Sequence, residues 1–481
     1  MSSCDEDRRK IVIIGLGTGG LFSSKAASRT DRNAQTTIIE RRDYDMFSPC
    51  GIPYAIEGKV ANFEDLKHTV PTTRNLRKLL RHEATSIDTK EKRVEVKNLE
   101  TGELFWLDYD SLILATGGRP KILPTPGAKE LLGQGVYVVS TPEEGEALRK
   151  AALSCKSALV VGGGAIGLEI ALALRQLGLE VSVTKRRPEI MPDSLDPDMG
   201  ELVACYLKSR GINVLFGRSV DKINGDDCVE SFLMDGETIP CNMVVMAVGV
   251  EPESKLAEDA GIATSKGAII TDERMQTSVK DVYAVGDNCL TFSGINKTPI
   301  SVTLATTAFR QAIVAGVNAA GGDMTYDGAF GTFVSYMGDL EISCTGYNTL
   351  TAEEQGFKVV SGKANTPIKP KWMCDSKEIS VKVIADADTG RVLGGQAIGD
   401  SGTDWRINII ALAIKHKMTL QELSSIELAY CPAVSDLYDP LLVAVDVALR
   451  KLEACARRRS TMLQQEAHML ERDLIRTRIS Q

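Results

Sequence analysis

The chain is poor in metal ligands. Four histidines stand in 481 residues, and none of the eleven cysteines (4, 50, 155, 205, 228, 241, 289, 344, 374, 431 and 455) makes a C-x-x-C pair with another. Zinc and iron–sulfur ligation therefore lack their usual spacing, and no metal site is expected. Positive charge is not in excess either: the net charge is -8 and the pI about 5.4, which leaves no basic stripe for nucleic acid. No apolar run approaches the roughly 18 residues of a membrane span. The opening MSSCDEDRRK has no apolar core of a secretory leader. An odd number of thiols without such a leader points to the reducing cytoplasm.

What is present is ordinary in bulk and specific in pattern. Apolar residues make up 43% and charged residues 25%, both globular values, and the length calls for two to four domains. Residues 10–40 read strand, glycine turn, helix, strand: KIVIIG, GLGTGG, LFSSKAASRT, AQTTIIE. Gly15 permits the tight turn, Gly17 lets backbone approach a pyrophosphate, and Gly20 lets helix and strand pack closely. The helix start turns its positive end to the phosphates. Glu40, 20 residues past Gly20, is placed to accept from ribose hydroxyls. Residues 157–185 repeat the arrangement with GGGAIG, where Gly162, Gly164 and Gly167 take the three glycine roles. Two copies, each with alternating strands and helices, predict a doubly wound parallel sheet in each.

The two copies differ at the acid. The counterpart of Glu40 falls at Thr184 or Lys185, within VTKRRPE. An acid there favours the bare 2′-hydroxyl of NADH, whereas Lys185, Arg186 and Arg187 offer charge to the 2′-phosphate of NADPH. The plainer alternative is a solvated basic turn with NADH still used. Between and after the copies, YDSLILATGGRP and MVVMAVGVEPES look like mirrored crossovers, and DVYAVGDN adds a strand ending in Gly286 and Asp287. From about Thr325 the character changes to strand-like alternation, then a helix at 404–418, then LAYCPAVSDLYDPLL.

Cys50 follows Glu40 by ten residues, in ERRDYDMFSPCGIPYAI. A thiol there is placed to meet the redox ring of a dinucleotide held by the first fingerprint. Only a thiolate attacks a disulfide. Gly51 and Pro53 suggest a helix start, whose positive end is expected to lower the thiol pKa. No second cysteine is near in sequence, so the partner sulfur or oxygen must come from a small thiol, a sulfenate or a thiol across a dimer. The bland alternative is a buried, inert cysteine.

Five ordered motifs, GLGTGG, FSPCGIPY, LILATGGRP, GGGAIGLE and the run AVGVEPES…TDERMQTSVKDVYAVGDN, make residues 9–450 resemble the FAD-dependent pyridine nucleotide–disulfide oxidoreductases. Within them the chain is similar to the single-cysteine branch of coenzyme A-disulfide and CoA-persulfide reductases, NAD(P)H oxidases and NADH peroxidases. The resemblance implies an α/β fold: two Rossmann-like nucleotide-binding domains, the FAD domain split in sequence, and an α+β C-terminal dimerisation domain. The implied boundaries are 1–118 (FAD, first part), 119–247 (NAD(P)H), 248–326 (FAD, second part), 327–450 (dimerisation) and 451–481 (helical tail).

It further implies that Gly15, Gly17, Gly20 and Glu40 bind FAD, with Thr116, Gly117, Gly286 and Asp287. Gly162, Gly164 and Gly167 would bind NADPH or NADH, with Lys185, Arg186 and Arg187, while Glu169 lies near the flavin–nicotinamide contact. Cys50 matches the redox cysteine, and Tyr430 a tyrosine that borders it from the other subunit of a homodimer. The expected activity is NAD(P)H-dependent reduction of a small disulfide or persulfide (CoA disulfide, CoA persulfide or polysulfide). The alternative is an oxidase that reduces oxygen through a cysteine sulfenate.

The chain departs from relatives at four places. Thr18 stands where oxidases and peroxidases usually carry histidine, which weakens the oxygen-reducing reading. Ala165 replaces an aromatic gate over the flavin, and Val434 replaces another aromatic. Cys431 is either a resolving thiol or a small packing residue. Lys25 and Arg29 on the first helix would meet a CoA phosphate or, more plainly, only solvent. In the tail, Leu463, Ala467, Leu470 and Leu474 recur at helical spacing, as in a terminal helix packed along a partner subunit, or else a docking or membrane-surface helix.

Overall fold

In the computed structural model, which describes residues 8–479, apolar KIVII forms the strand Lys10–Ile14, with Ile11 to Ile14 buried. The chain then turns through the glycines into the helix Thr18–Thr30 and returns as the strand Gln35–Glu40. These two strands pair in parallel and sit inside a five-stranded parallel sheet. Its order is Val282–Ala284, Ser111–Leu114, Lys10–Ile14, Gln35–Glu40, Leu76–Leu80. The outermost strand at one edge thus comes from DVYAVGDN, far along the chain. The helix Ala305–Ala319 packs on the first helix so closely that a side chain at Gly316 would overlap the Ser23 carbonyl.

A second parallel sheet has the order Val136–Tyr137, Met243–Met246, Ser157–Val161, Glu180–Lys185, Asn213–Phe216. The chain leaves the first lobe through Gly118–Pro120 and comes back through Val250–Pro252, and these segments pair with each other antiparallel. The mirrored crossovers are therefore one two-stranded strap.

The chain divides into two compact units: residues up to Met191 with Val203–Gly331, and Pro192–Leu202 with the residues from Thr332 on. The second unit is built on a five-stranded antiparallel sheet, ordered Phe333–Met337, Leu340–Gly346, Val392–Gly399, Glu378–Asp386, Val359–Pro367. The helix expected at 404–418 runs Thr403–Lys415. Pro192–Leu202 is tied into this unit by buried charge. Asp196 accepts from Thr349 and, with Asp198, pairs with Lys382 at 2.6 and 2.7 Å.

One helix, Pro440–Ile479, runs through residue 450 into the tail. It seats Leu441, Ala444, Val445 and Ala448 against a strand in which a side chain at Gly362 would overlap the Ala444 carbonyl. The side chains of Leu463, Ala467, Leu470 and Leu474 lie outside the described residues. Among the described residues no helix is long and apolar enough to cross a membrane, and no group of three metal-ligating side chains is arranged to hold an ion.

Candidate active site

The three glycines of the first fingerprint sit as their roles require. Gly15 has φ +100°, and a side chain on it would overlap the Ala115 carbonyl. Gly17 faces open space, which leaves room for a ligand's phosphates. A side chain on Gly20 would overlap the Gly15 carbonyl. The helix that follows has Gly17 at its N-cap and no side-chain cap, so its first N–H groups are left for a ligand.

Glu40 is buried and more heavily engaged than its spacing implies. Oε2 accepts from the Leu16 N–H (2.8 Å) and Arg42 Nη2 (2.7 Å). Oε1 accepts from the Arg42 N–H (3.0 Å) and Nε (2.9 Å). Burial alone would raise this carboxyl, but the Arg42 guanidinium and the two N–H groups outweigh it and hold it below the ordinary 4.5. Arg42 went unnoticed in the sequence, although its place two residues beyond Glu40, on the same face of an extended segment, was a usable signal.

Asp287 has no hydrogen bond or ion pair among the described residues, and burial pushes its carboxyl up. Its neighbour Gly286 has φ +88° and donates its N–H to Gln311 Oε1 at 2.9 Å. Gln311 is buried on the helix Ala305–Ala319, and no local pattern could have pointed to it. Asn288 Nδ2 donates to the Leu114 carbonyl and to Thr116 Oγ1, which in turn donates to the Glu253 carbonyl. The Gly117 carbonyl accepts from the Glu253 N–H. Thr116 and Gly117 thus bind the strap as well as standing beside the glycine loop.

The second fingerprint repeats the first. The Gly15 N–H donates to the Ile39 carbonyl and the Gly162 N–H to the Thr184 carbonyl, both at 2.9 Å. Ile39 precedes Glu40, so Lys185 is the counterpart of Glu40, and the choice between Thr184 and Lys185 is resolved. Thr184 is buried, its hydroxyl bonded to the Leu215 and Arg218 carbonyls. Gly164 faces open space, and a side chain on Gly167 would overlap the Gly162 carbonyl. Lys185 Nζ donates to the Glu189 carbonyl at 3.2 Å, with Arg186 and Arg187 exposed beside it.

Cys50 lies in the 3-10 turn Pro49–Gly51 that leads into the helix Ile52–Glu57. The residue is exposed, yet its thiol is raised. Loss of water is the main cause, followed by the charge of Glu169, with Asp287 adding to it; the Cys50 N–H works the other way. The expected lowering is thus overturned, because the thiol loses water, two carboxylates act on it, and the regular helix begins only at Ile52. Those carboxylates come from the helix of the second fingerprint (Ala165–Gln176) and from the end of DVYAVGDN.

Tyr430 and Cys431 lie in the second unit and are exposed. The Cys431 carbonyl accepts from the Val434 and Ser435 N–H groups, closing a turn. Lys25 and Arg29 are exposed on the first helix, with Lys25 Nζ 5.1 Å from the Phe22 ring centre.

The family profile described as pyridine nucleotide-disulphide oxidoreductase matches residues 9–312, and that of the dimerisation domain of the same family matches 333–440. The chain belongs to this family. An NADH oxidase of Methanocaldococcus jannaschii is 37% identical over 448 residues, covering 92% of this chain and 99% of that protein. A CoA-dependent NAD(P)H sulfur oxidoreductase of Pyrococcus furiosus is 31% identical over 450 residues, 92% of this chain and 99% of that one. Among solved structures, an NAD-dependent persulfide reductase from A. fulgidus superposes with a TM-score of 0.88 at 31% identity, covering 93% of this chain and 84% of that one.

As a pyridine nucleotide-disulphide oxidoreductase the protein is an FAD- and NAD(P)H-dependent enzyme. The groups present suit those cofactors. The open side of Gly17 and the uncapped helix start would take the FAD pyrophosphate, and the unpartnered Asp287 carboxylate would accept from the hydroxyls of its chain. For Glu40 to meet a ribose, one of its Arg42 contacts must open.

Proposed function

We propose that this chain is an NAD(P)H-dependent flavoprotein that reduces a low-molecular-weight disulfide or persulfide, such as CoA disulfide, CoA persulfide or polysulfide, with Cys50 as its redox thiol. The observation that carries the reading is the packing of the helix that follows Cys50, Ile52–Glu57, on the second-fingerprint helix Ala165–Gln176 that bears Glu169. The exposure of Cys50 supports a role as a reactive thiol. Relatives named as sulfur, persulfide and CoA-disulfide reductases support the acceptor class.

Bound FAD supplies the two-electron link between a hydride donor on one side and sulfur on the other. The chain's own groups do the rest. Gly162, Gly164 and Gly167 cradle the donor's phosphates, and Lys185, Arg186 and Arg187 favour a 2′-phosphate and hence NADPH. Cys50 holds the acceptor sulfur as a mixed disulfide or persulfide and leaves as thiolate. Loss of water, then the charges of Glu169 and Asp287, raise the cost of that thiolate. The dimerisation profile supports a homodimer in which Tyr430, and Cys431 beside it, border the partner's Cys50. Cytoplasmic residence accords with the free thiols.

The test is anaerobic NADPH oxidation with CoA disulfide, wild type beside Cys50→Ser. Turnover abolished by the substitution is expected. Flavin bleached by NADPH without turnover would reject this acceptor. Oxygen would then be the next one to test, as in the relatives named NADH oxidase.

A further inference from the structure

The helix Pro142–Ala152 buries one face, formed by Pro142, Gly145, Leu148 and Ala152. A side chain at Gly145 would overlap Ile52 and Phe63, so that face rests on the segment after Cys50. Ala147 and Ala151, one helical turn apart, stand together on a different face, and both side chains are short. Across from them runs the turn 131–136, whose shape is set by its own backbone. The Gly133 N–H donates to the Val136 carbonyl at 2.8 Å, and the Val136 N–H to the Leu131 carbonyl at 3.1 Å. Gly135 has φ +104°, and a side chain there would overlap Val229. Between helix and turn lies a cavity of about 570 Å³, walled in part by Leu132, Val136, Ala147 and Ala151. That volume is in the range of small-molecule sites.

Two charged groups reach this cavity, Glu144 and Lys150, and they are not equivalent. Glu144 Oε2 accepts from the Ser140 N–H, the Ser140 hydroxyl and the Thr141 N–H at 2.7, 2.8 and 3.1 Å. Its charge is thus engaged in the capping box at the helix start. Lys150 is exposed and has no hydrogen bond or ion pair among the described residues. An apolar wall therefore stands beside one cation with no counter-charge of its own. A peptide strand is a poor occupant. The Val136 N–H and carbonyl, on the edge strand Val136–Tyr137, are already bonded within the turn, and an added strand would find neither.

We infer that this cavity binds a small amphipathic anion, with an apolar body between the helix Pro142–Ala152 and the turn 131–136 and an acidic head on Lys150. Removing the body and the alanine face from water supplies the affinity, and the ammonium group selects the charge of the head. A cationic ligand meets like charge at Lys150, and a neutral one leaves the lysine without a partner. The site uses neither glycine fingerprint and does not include Cys50. It lies wholly in the first unit and does not depend on which acceptor Cys50 serves.

The experiment titrates the FAD-loaded enzyme with octanoate, and separately with the neutral octanamide, by isothermal calorimetry. The expected result is saturable binding of octanoate below about 10 mM, with octanamide at least fivefold weaker. Ala147→Trp, which fills the cavity from an exposed helix position, should abolish binding of both. Lys150→Glu should weaken octanoate at least fivefold and leave octanamide unchanged. Both variants should keep wild-type flavin content and NADPH-dependent turnover. No saturable binding of octanoate, or binding that Ala147→Trp leaves intact, would overturn the inference. So would equal binding of the two probes, or an octanoate affinity that Lys150→Glu does not move, because the anionic head would then have no counterpart.

Discussion

At Cys50 opposing influences meet: loss of water and the charges of Glu169 and Asp287 raise the thiol, while its own N–H lowers it. Neutralising the acid with the larger effect, Glu169, should therefore free thiolate. Glu169→Gln is expected to speed alkylation of Cys50 by iodoacetamide at pH 8 by about three- to tenfold at low salt, with the gain shrinking as salt is added. An unchanged rate would mean that the carboxylate does not act on the thiol. Glu40 shows the opposite sign. Its carboxyl is held below 4.5, so its stabilisation is complete above that value and is lost as pH falls through the depressed one. Glu40→Gln should lower unfolding free energy at pH 7 by about 1–3 kcal/mol. In urea titrations the difference from wild type should shrink as pH falls below 4.5 and through the depressed pKa. Glu40 and Cys50 are legible in the sequence because their distance from the glycines is set by one strand and one helix. The direction of the Cys50 shift is not legible. It depends on the water the thiol loses on folding and on charges brought from residues 169 and 287 by the fold.

The two strand–turn–helix elements were readable throughout, since each glycine's task is local. Their equivalence at the acid position was not. It needed the matching hydrogen bonds of Gly15 to Ile39 and Gly162 to Thr184 to align Lys185 with Glu40. Lys185→Glu is then expected to move the NADPH-to-NADH preference in kcat/KM toward NADH by about 10- to 100-fold, measured by steady-state kinetics with both donors. In the first element, Gly20→Ala puts a methyl group into the Gly15 carbonyl. Helix and strand must part, and the purified protein should lose bound flavin, read from its visible absorbance, with a destabilisation of more than about 2 kcal/mol.

On the scale of the whole chain, the second unit has a charged lock of its own. Arg406, fully buried, donates through Nε and Nη2 to Asp439 at 2.9 and 2.7 Å, and Asp439 also accepts from the Leu441 N–H at the start of the long helix. Asp439→Asn leaves a buried guanidinium without its counter-charge and should cost about 3–5 kcal/mol in denaturant unfolding. The architecture of this unit was foreseen only in outline. Antiparallel strands joined out of order, and an aspartate meeting an arginine 33 residues away, leave no periodic trace in sequence.

The strap between the lobes has a further consequence. Arg119 stands opposite Glu251, and the Lys121 N–H bonds to the Gly249 carbonyl at 3.0 Å, so everything between enters and leaves through one doorway a few ångströms wide. The stretch is nevertheless no free cassette: Pro192–Leu202 within it belongs to the second unit, where Asp196 and Asp198 pair with Lys382. A homologous insert spliced in at the doorway must bring its own partners for Lys382 and its own acid for Cys50. Donor preference and acceptor chemistry are therefore inherited together.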